Sequence, residues 1–487
     1  MQFGGVAASA RLRQNPYVVN EALRTATPTL SGATSARRSG GGLAVRRSPT
    51  PLGARPNVLL FGIALGGAAV LFFWWRGTPY VQGFGDWLTN GGRITGLLAG
   101  YSIGVILLLM ARIPTFERGI GSDRLARWHA IGGRYVISLV VCHVILVVWG
   151  YAVTAHTNPA HQTMSLVGSY PDMAMACVAA GLLVFVGIVS ARAARRRLRY
   201  ETWYYLHLYT YLAVSLSFSH QLATGAQFIS DPLARIAWSG FYILVGALLL
   251  WHRVLSPVRN ALRHRMRVMG LEVEAPGVVS VYISGDHLDE LDAQPGQFFR
   301  WRFLTREHWW AANPYSLSAA PQPRLLRITV KALGDHSSDL AGVKVGTKIL
   351  AEGPYGGFTA ARRRRRKVLL IAAGVGITPI RTLFETLPGG PGDITLLYRI
   401  SSRANVLFQD ELESIARHRG QRFHLLMGPR GGARDPLSAA RLVRAIPDVR
   451  HHDVYVCGPP SMTEATIRTL RRCGVARRRI HRESFEL

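Results

Sequence analysis

Across 487 residues the chain carries 58 Lys plus Arg against 28 Asp plus Glu, a formal net charge of +30. The excess is nearly all arginine, since lysine occurs only at Lys331, Lys344, Lys348 and Lys367. With 48% apolar residues the chain is too apolar for a disordered or nucleic-acid-binding basic protein, so nucleic acid is excluded as a partner and part of the chain is assigned to lipid. Cys142, Cys177, Cys457 and Cys473 form no C-x-x-C pair. That excludes a disulfide scaffold, a zinc ribbon and an intrinsic plant-type iron–sulfur domain.

Residues 1–56 are rich in Arg, Ser, Gly, Ala and Pro, lack apolar periodicity, and read as a disordered basic tail. Six apolar stretches follow: Val58–Trp75, Ile94–Ala111, Ile131–Val153, Ala174–Ala191, Tyr204–Leu222 and Ile236–Trp251. Each is near the ~20 residues that cross a ~30 Å hydrocarbon core. Together they predict a membrane all-α six-helix bundle over residues 57–255. Six spans put both termini on one side. The loops after the second and fourth stretches carry Arg112, Arg118, Arg124, Arg127, Arg192, Arg195, Arg196, Arg197 and Arg199, whereas the opposite loops hold only Arg76, Arg93 and Arg235. The positive-inside rule then predicts an integral plasma-membrane protein with both termini cytoplasmic.

Beyond a basic connector from His252 to Arg267, strand-like alternation begins at Leu271-Glu272-Val273-Glu274. Short strands with Gly and Pro turns predict an antiparallel β-barrel over residues 266–362. Over residues 366–487 the strands Val368–Ile371, Ile394–Tyr398 and Val454–Val456 alternate with helical stretches, which predicts an α/β parallel-sheet nucleotide-binding domain. The run Arg362–Lys367 between them reads as a solvated charged stretch, with contact to anionic cytoplasmic-leaflet lipid as the alternative.

Four histidines carry the chemistry of the membrane half. His129 and His143 lie in the third stretch, and His207 and His220 in the fifth. These stretches cross in the same direction, so each pair runs from cytoplasmic to outer side. At ~1.5 Å rise per residue the spacings correspond to about 21 Å and about 20 Å, which sets imidazoles at two matched depths. Two bis-histidine b haems fit between them. At ~100° per residue the second pair falls about 140° apart around its helix, so a bend or local irregularity is expected there.

The six stretches, the H-x13-H and H-x12-H spacings, and the segment Glu201-Thr202-Trp203-Tyr204-Tyr205-Leu206-His207 resemble the ferric reductase and NADPH oxidase superfamily. The resemblance implies an inner haem on His129 and His207 and an outer haem on His143 and His220. Asn313-Pro314-Tyr315-Ser316-Leu317-Ser318 resembles the flavin motif of ferredoxin–NADP reductases, although Asn313 stands where the soluble enzymes carry an arginine. Lys331, Gly334, Ser337 and Ser338 lie in a segment similar to the family's FAD pyrophosphate segment. Gly374, Gly376, Thr378 and Pro379 follow an apolar strand and open a helix, as a nicotinamide dinucleotide loop does. Cys457-Gly458-Pro459 matches the family's C-G-P motif beside the nicotinamide, and Phe485 its flavin-covering aromatic. Arg399, Ser401 and Arg403, with no acid between Tyr398 and Phe408, favour NADPH, leaving NADH as a possible donor. The implied activity is electron transfer from NADPH through FAD and two haems to an external acceptor. Ferric iron is preferred over dioxygen as that acceptor; a non-catalytic membrane scaffold or a donor to a partner protein is the reading from another class.

Overall fold

The structure, a computed structural model, describes residues 53–483 apart from 79–80, 196, 199, 307–308, 334, 430 and 432–433. Most of the expected tail, together with Gly334 and Phe485, lies outside the described residues. The membrane half is helical: α1 Pro56–Arg76, α2 Phe84–Leu109, α3 Ser122–Thr154, α4 Met173–Ser190, α5 Tyr200–Thr224 and α6 Pro232–Leu250. Proline opens α1 and α6, and the Asp231 carboxylate caps α6 by accepting from the amides of Leu233 and Ala234.

Among the described residues five helices are long and apolar enough to cross a membrane, namely α1, α2, most of α3, α4, and α6 with its continuation to His264. The 25-residue α5 is not among them. Tyrosines, serines, Gln221 and its two histidines dilute its apolar character, and it packs chiefly on α4.

Glycines on α2 let its neighbours come close. A Cβ at Gly85, Gly92 or Gly96 would lie 2.3, 2.5 or 2.6 Å from Thr154, Val147 or His143 of α3. Small residues at such crossings are how helices in lipid gain packing without a hydrophobic drive. Polar contacts add to this: the Tyr101 hydroxyl donates to the Ile63 carbonyl at 2.7 Å, and Tyr242 to that of Gly100 at 2.9 Å.

After α7, Ser256–His264, the chain forms two three-stranded antiparallel sheets. One is ordered β1 Arg267–Ala275, β2 Val278–Ser284, β5 Leu325–Lys331; the other is β4 Asn313–Ser316, β3 Phe298–Phe303, β6 Ile349–Tyr355. The expected barrel is not closed. Among the described residues the sheets are joined by the isolated bridges Arg267↔Lys348 and Leu317↔Ile328 and a few flanking backbone hydrogen bonds rather than by a ladder, because β4 is just four residues long and cannot extend one to β5. Their shared core holds Phe299, Trp301, Leu317, Leu326 and Ile328.

The expected parallel sheet is present, in the order β11 Ile480–Glu483, β10 Asp453–Cys457, β7 Val368–Ala373, β8 Ile394–Arg399, β9 Arg422–Leu426. Every residue of β7 and β8 is buried, as helices on both faces require. Among those helices are α8 Ile377–Thr386, α9 Gln409–Arg419, α10 Ala439–Ala445 and α11 Pro460–Arg472. The arginine run ahead of β7 is partly tied down locally. The Arg364 amide donates to Asp453 at 2.6 Å, and Lys367 pairs with Asp448 at 2.5 Å.

Candidate functional site

The helical half gathers the four histidines into two pairs. The rings of His129 on α3 and His207 on α5 lie with centroids 5.9 Å apart. Further along the same helices, His143 and His220 are close enough to interact electrostatically. Each ring is steered through Nδ1. His129 Nδ1 is 3.0 Å from the Ile106 carbonyl, and His143 Nδ1 is 2.7 Å from that of Gly92. His207 Nδ1 lies 3.3 Å from Ser190 Oγ and His220 Nδ1 3.0 Å from Thr224 Oγ1. An imidazole whose Nδ1–H donates to a carbonyl keeps Nε2 as a free lone pair, the state a metal ligand needs. Among the described residues no cluster of three or more His, Cys, Asp or Glu could hold a bare metal ion. Paired imidazoles are a donor set that could hold a haem iron. The irregularity expected in α5 is absent, since it runs as unbroken α-helix past both histidines.

The His129–His207 pair is linked to the β-sheet half of the chain. Trp203 stacks on His207 at 5.2 Å and donates its indole N–H to Ser190 Oγ at 3.2 Å, while the Arg195 guanidinium sits 4.2 Å over the Trp203 ring. Two residues on, Tyr205 meets Trp310 at 6.0 Å between ring centroids. Trp310 lies in the segment leading into β4, so the helix bearing His207 touches the approach to the flavin motif.

That motif forms β4 and its exit. Tyr315 lies opposite Phe299, and its carbonyl accepts from Trp301 Nε1 at 3.0 Å. Burial pushes its phenol up to about 12, so it is neutral at working pH. Asn313 and Pro314 are half-buried beside it on the same strand. Ser316 is 3% exposed, and its Oγ has no hydrogen-bond partner among the described residues. A buried hydroxyl left unpaired is costly, and this one marks where a polar ligand atom belongs. Leu317 and Ser318, by contrast, serve the fold. Leu317 is core, and Ser318 Oγ accepts from Thr329 at 2.8 Å. Lys331 is exposed at the end of β5, and Ser337 Oγ accepts from the Leu333 amide at 2.8 Å, with Ser338 next to it in the helix Asp335–Asp339.

The ends of β7 and β10 are pressed together. A Cβ on Gly376 would lie 2.5 Å from the Cys457 carbonyl, and Gly374 takes φ 55°. Thr378 Oγ1 donates to the Val375 carbonyl at 3.0 Å, and Pro379 is buried in the first turn of α8. Cys457 ends β10 fully buried, where burial first and the Glu483 carboxylate second push its thiol well above the usual range. A Cβ on Gly458 would lie 2.5 Å from Met462 Cε, and Pro459 leads into α11. Glu483, on β11, also lies 3.3 Å from where a Gly356 Cβ would be, as does Phe298. Sequence reading did not single out Glu483; its position beside Cys457 appears only once β11 pairs with β10.

Arg399 requires a correction. It is 7% exposed, pairs with Asp435 at 2.9 Å, and donates to the Pro429 carbonyl at 2.8 Å. Its charge is committed internally and is not offered to a cofactor phosphate. Ser401 and Arg403 are exposed just beyond, with Ser401 Oγ accepting from Asn405 at 3.0 Å.

Residues 95–218 match the ferric reductase like transmembrane component, and residues 370–468 match the oxidoreductase NAD-binding domain. The chain has the architecture of the ferric reductase and NADPH oxidase superfamily. One chain thus combines a ferric-reductase-like transmembrane component with an oxidoreductase NAD-binding domain. The chain is similar to an NADPH oxidoreductase of Mycobacterium tuberculosis, 30% identical over 241 residues that cover 47% of this chain and 62% of that protein. It is 29% identical over 225 residues to a flavohemoprotein of Vibrio cholerae, covering 44% of this chain and 57% of that protein. The chain thus spans less than two thirds of the length of these relatives. Among solved structures, the flavohem-like FAD/NAD-binding domain of nitric oxide dioxygenase from Vibrio cholerae matches with 28% identity and a TM-score of 0.41, covering 45% of this chain and 98% of that one.

Two ionic clamps, neither legible in the sequence, hold this superfamily architecture together. The first joins membrane half to barrel. Arg112, in a left-handed turn just after α2, pairs with Glu352 of β6, and Arg302 lies 3.5 Å from the same carboxylate. The second joins the antiparallel-sheet domain to the parallel-sheet domain. Glu411 on α9 accepts from Arg327 of β5 at 2.8 and 2.9 Å and from Arg381 of α8 at 2.5 Å. Both arginines are buried, and both also donate to the Ser318 carbonyl at 3.0 Å. The flavin motif is therefore fixed directly to the nucleotide domain.

Proposed function

We propose that this chain passes electrons from cytoplasmic NADPH, by way of FAD and two b haems, across the plasma membrane to an acceptor outside, with ferric iron as that acceptor. The observation that supports it best is the pair of histidine couples on α3 and α5, each ring steered through Nδ1, in the same chain as a nicotinamide-binding module. FAD supplies the exchange of one hydride for electrons delivered singly, which haem iron requires. In this reading all six helices cross the membrane, and both termini are cytoplasmic by the arginine balance of the loops.

The protein's own groups bind and orient. Tyr315 and Ser316 hold the flavin, with the unpaired Ser316 hydroxyl supplying a hydrogen bond in the buried cradle. Gly374 and Gly376 let the dinucleotide backbone reach the start of α8, where amide N–H groups favour an anion. Arg403 and Ser401 take the 2′-phosphate. Cys457 remains a neutral thiol beside the nicotinamide, and Phe485 covers the flavin. His129 with His207, and His143 with His220, would hold the two haem irons.

The test is an absorbance spectrum of the purified protein with NADPH, taken without air and then with a ferric chelate or with air. The reading expects haem bands that reduce with NADPH and reoxidise on adding the chelate anaerobically. Reoxidation by air alone would make dioxygen the acceptor, and a protein without haem bands would refute the electron path.

A further inference from the structure

The helix that begins at Pro232 does not end where a bilayer would. It continues through a π-helical turn, Trp251–Leu255, into α7 and stops at His264, 33 residues in all. At ~1.5 Å per residue that is about 50 Å, against ~30 Å of hydrocarbon and ~40–45 Å with headgroups. The last turns therefore stand in or just past the headgroup layer on the side of the cytoplasmic module.

Those turns are two-faced. Ser256, Pro257, Asn260 and the buried His264 lie toward the module, with His264 Nδ1 3.0 Å from the Asp286 carbonyl. The opposite face exposes Trp251 46%, Leu255 45%, Val258 50% and Leu262 71%. Their spacing of four, three and four residues makes one stripe. It continues that of the span itself, where Ile243, Leu244 and Leu250 are likewise exposed. Arg259 and Arg265 flank the stripe, and no described residue pairs with either; Arg263 is held by Glu290 at 2.5 Å. The stripe from Trp251 to Leu262 and these three arginines line one open groove, whose only acidic lining residue among those described is Asp286.

We propose that this groove binds an anionic phospholipid of the cytoplasmic leaflet, its acyl chain along Leu255, Val258 and Leu262 and its phosphate between Arg259 and Arg265. Two observations select a lipid. The apolar stripe is continuous with a lipid-facing span, and its rim is cationic at the headgroup level, where an acyl chain and a phosphate occur together. The site rests on the membrane topology proposed above. Its effect is to seat α7, and through it β6 and the flavin domain, at a fixed height on the bilayer.

The full chain, extracted in mild detergent and supplied with equal phosphatidylglycerol and phosphatidylcholine, should retain phosphatidylglycerol preferentially in native mass spectrometry. Each of Arg259→Gln and Arg265→Gln should cut that preference about fivefold, from roughly the surface attraction of one arginine. Leu262→Glu should abolish it. Equal retention of both lipids by the wild type, or full preference in the double glutamine variant, would overturn the site. A dimer mass that Leu262→Glu dissolves would also overturn it, because a second copy then covers the face. Haem absorbance on the same samples separates the readings: intact haem without lipid preference refutes only this site, whereas wild type lacking haem strikes the electron path.

Discussion

Gly96 decides where His143, a proposed haem ligand, stands. A side chain there would begin 2.6 Å from His143 Nδ1, so the imidazole lies against bare backbone. Gly96→Val should drive the ring off its contact with the Gly92 carbonyl, at an overpacking cost of about 1–3 kcal/mol. About half the haem absorbance should be lost, with the inner couple retained; Gly181→Ala, at a position with nothing within 4 Å, should change nothing. Full haem in Gly96→Val would mean His143 is not a ligand. At the other end of the molecule Arg399 and Arg403 should part company. Arg403→Ala should raise the KM for NADPH tenfold or more and spare NADH, since a charge-assisted phosphate bond contributes about 1.5–3 kcal/mol. Arg399→Ala should instead lower the melting temperature and leave the NADPH-to-NADH ratio alone. Steady-state kinetics beside a thermal melt distinguishes the two. The pairing of the histidines was legible because an imidazole is costly in hydrocarbon, so four of them at two matched depths on two helices are expected to face one another. Arg399 misled because its partner, Asp435, lies 36 residues away and reaches it only through the β8–β9 end of the sheet.

At the scale of elements, the Arg327–Glu411–Arg381 clamp couples two domains through one carboxylate. Burial opposes its charge, but the bonds and charges of Arg327 and Arg381 outweigh burial and hold Glu411 below the usual carboxylate range. With the folded value depressed, the clamp contributes fully above the ordinary glutamate value of about 4.3 and is lost as pH falls through the lower folded value. Glu411→Gln should cost about 1.5–3 kcal/mol at neutral pH, because buried Arg327 loses its carboxylate partner while Arg381 keeps Glu385 at 2.8 Å. As pH falls below about 4.3 and then through the lower folded value, its melting temperature should converge on that of the wild type. Parallel melting curves that never converge would assign the stability to packing. The parallel strands were legible from their unbroken apolar runs, each buried on two faces. Closure of the barrel was not, because alternation in single strands says nothing of how short β4 is or where β1 meets β6. The character of α5 was obscured from the other side: the polar residues that suit it to hold two histidines also remove it from the helices that are apolar enough to span by composition.

Across the whole molecule the two clamps and the Tyr205–Trp310 contact make a single line from the nucleotide domain through the flavin motif to His207. The inner and outer histidine couples continue that line through the helices. In the proposed orientation an electron moving outward alone carries about 2.3 kcal/mol per 100 mV of membrane potential, so turnover should depolarise the membrane. The most direct measurement uses sealed inside-out vesicles with NADPH in the bath and a membrane-impermeant ferric chelate trapped within. The trapped chelate should be reduced as bath NADPH is consumed, and replacement of His143 by alanine should stop its reduction. Were the trapped chelate left oxidised while bath NADPH is consumed, or reduced as fast without His143, electrons would not be crossing through the paired histidines.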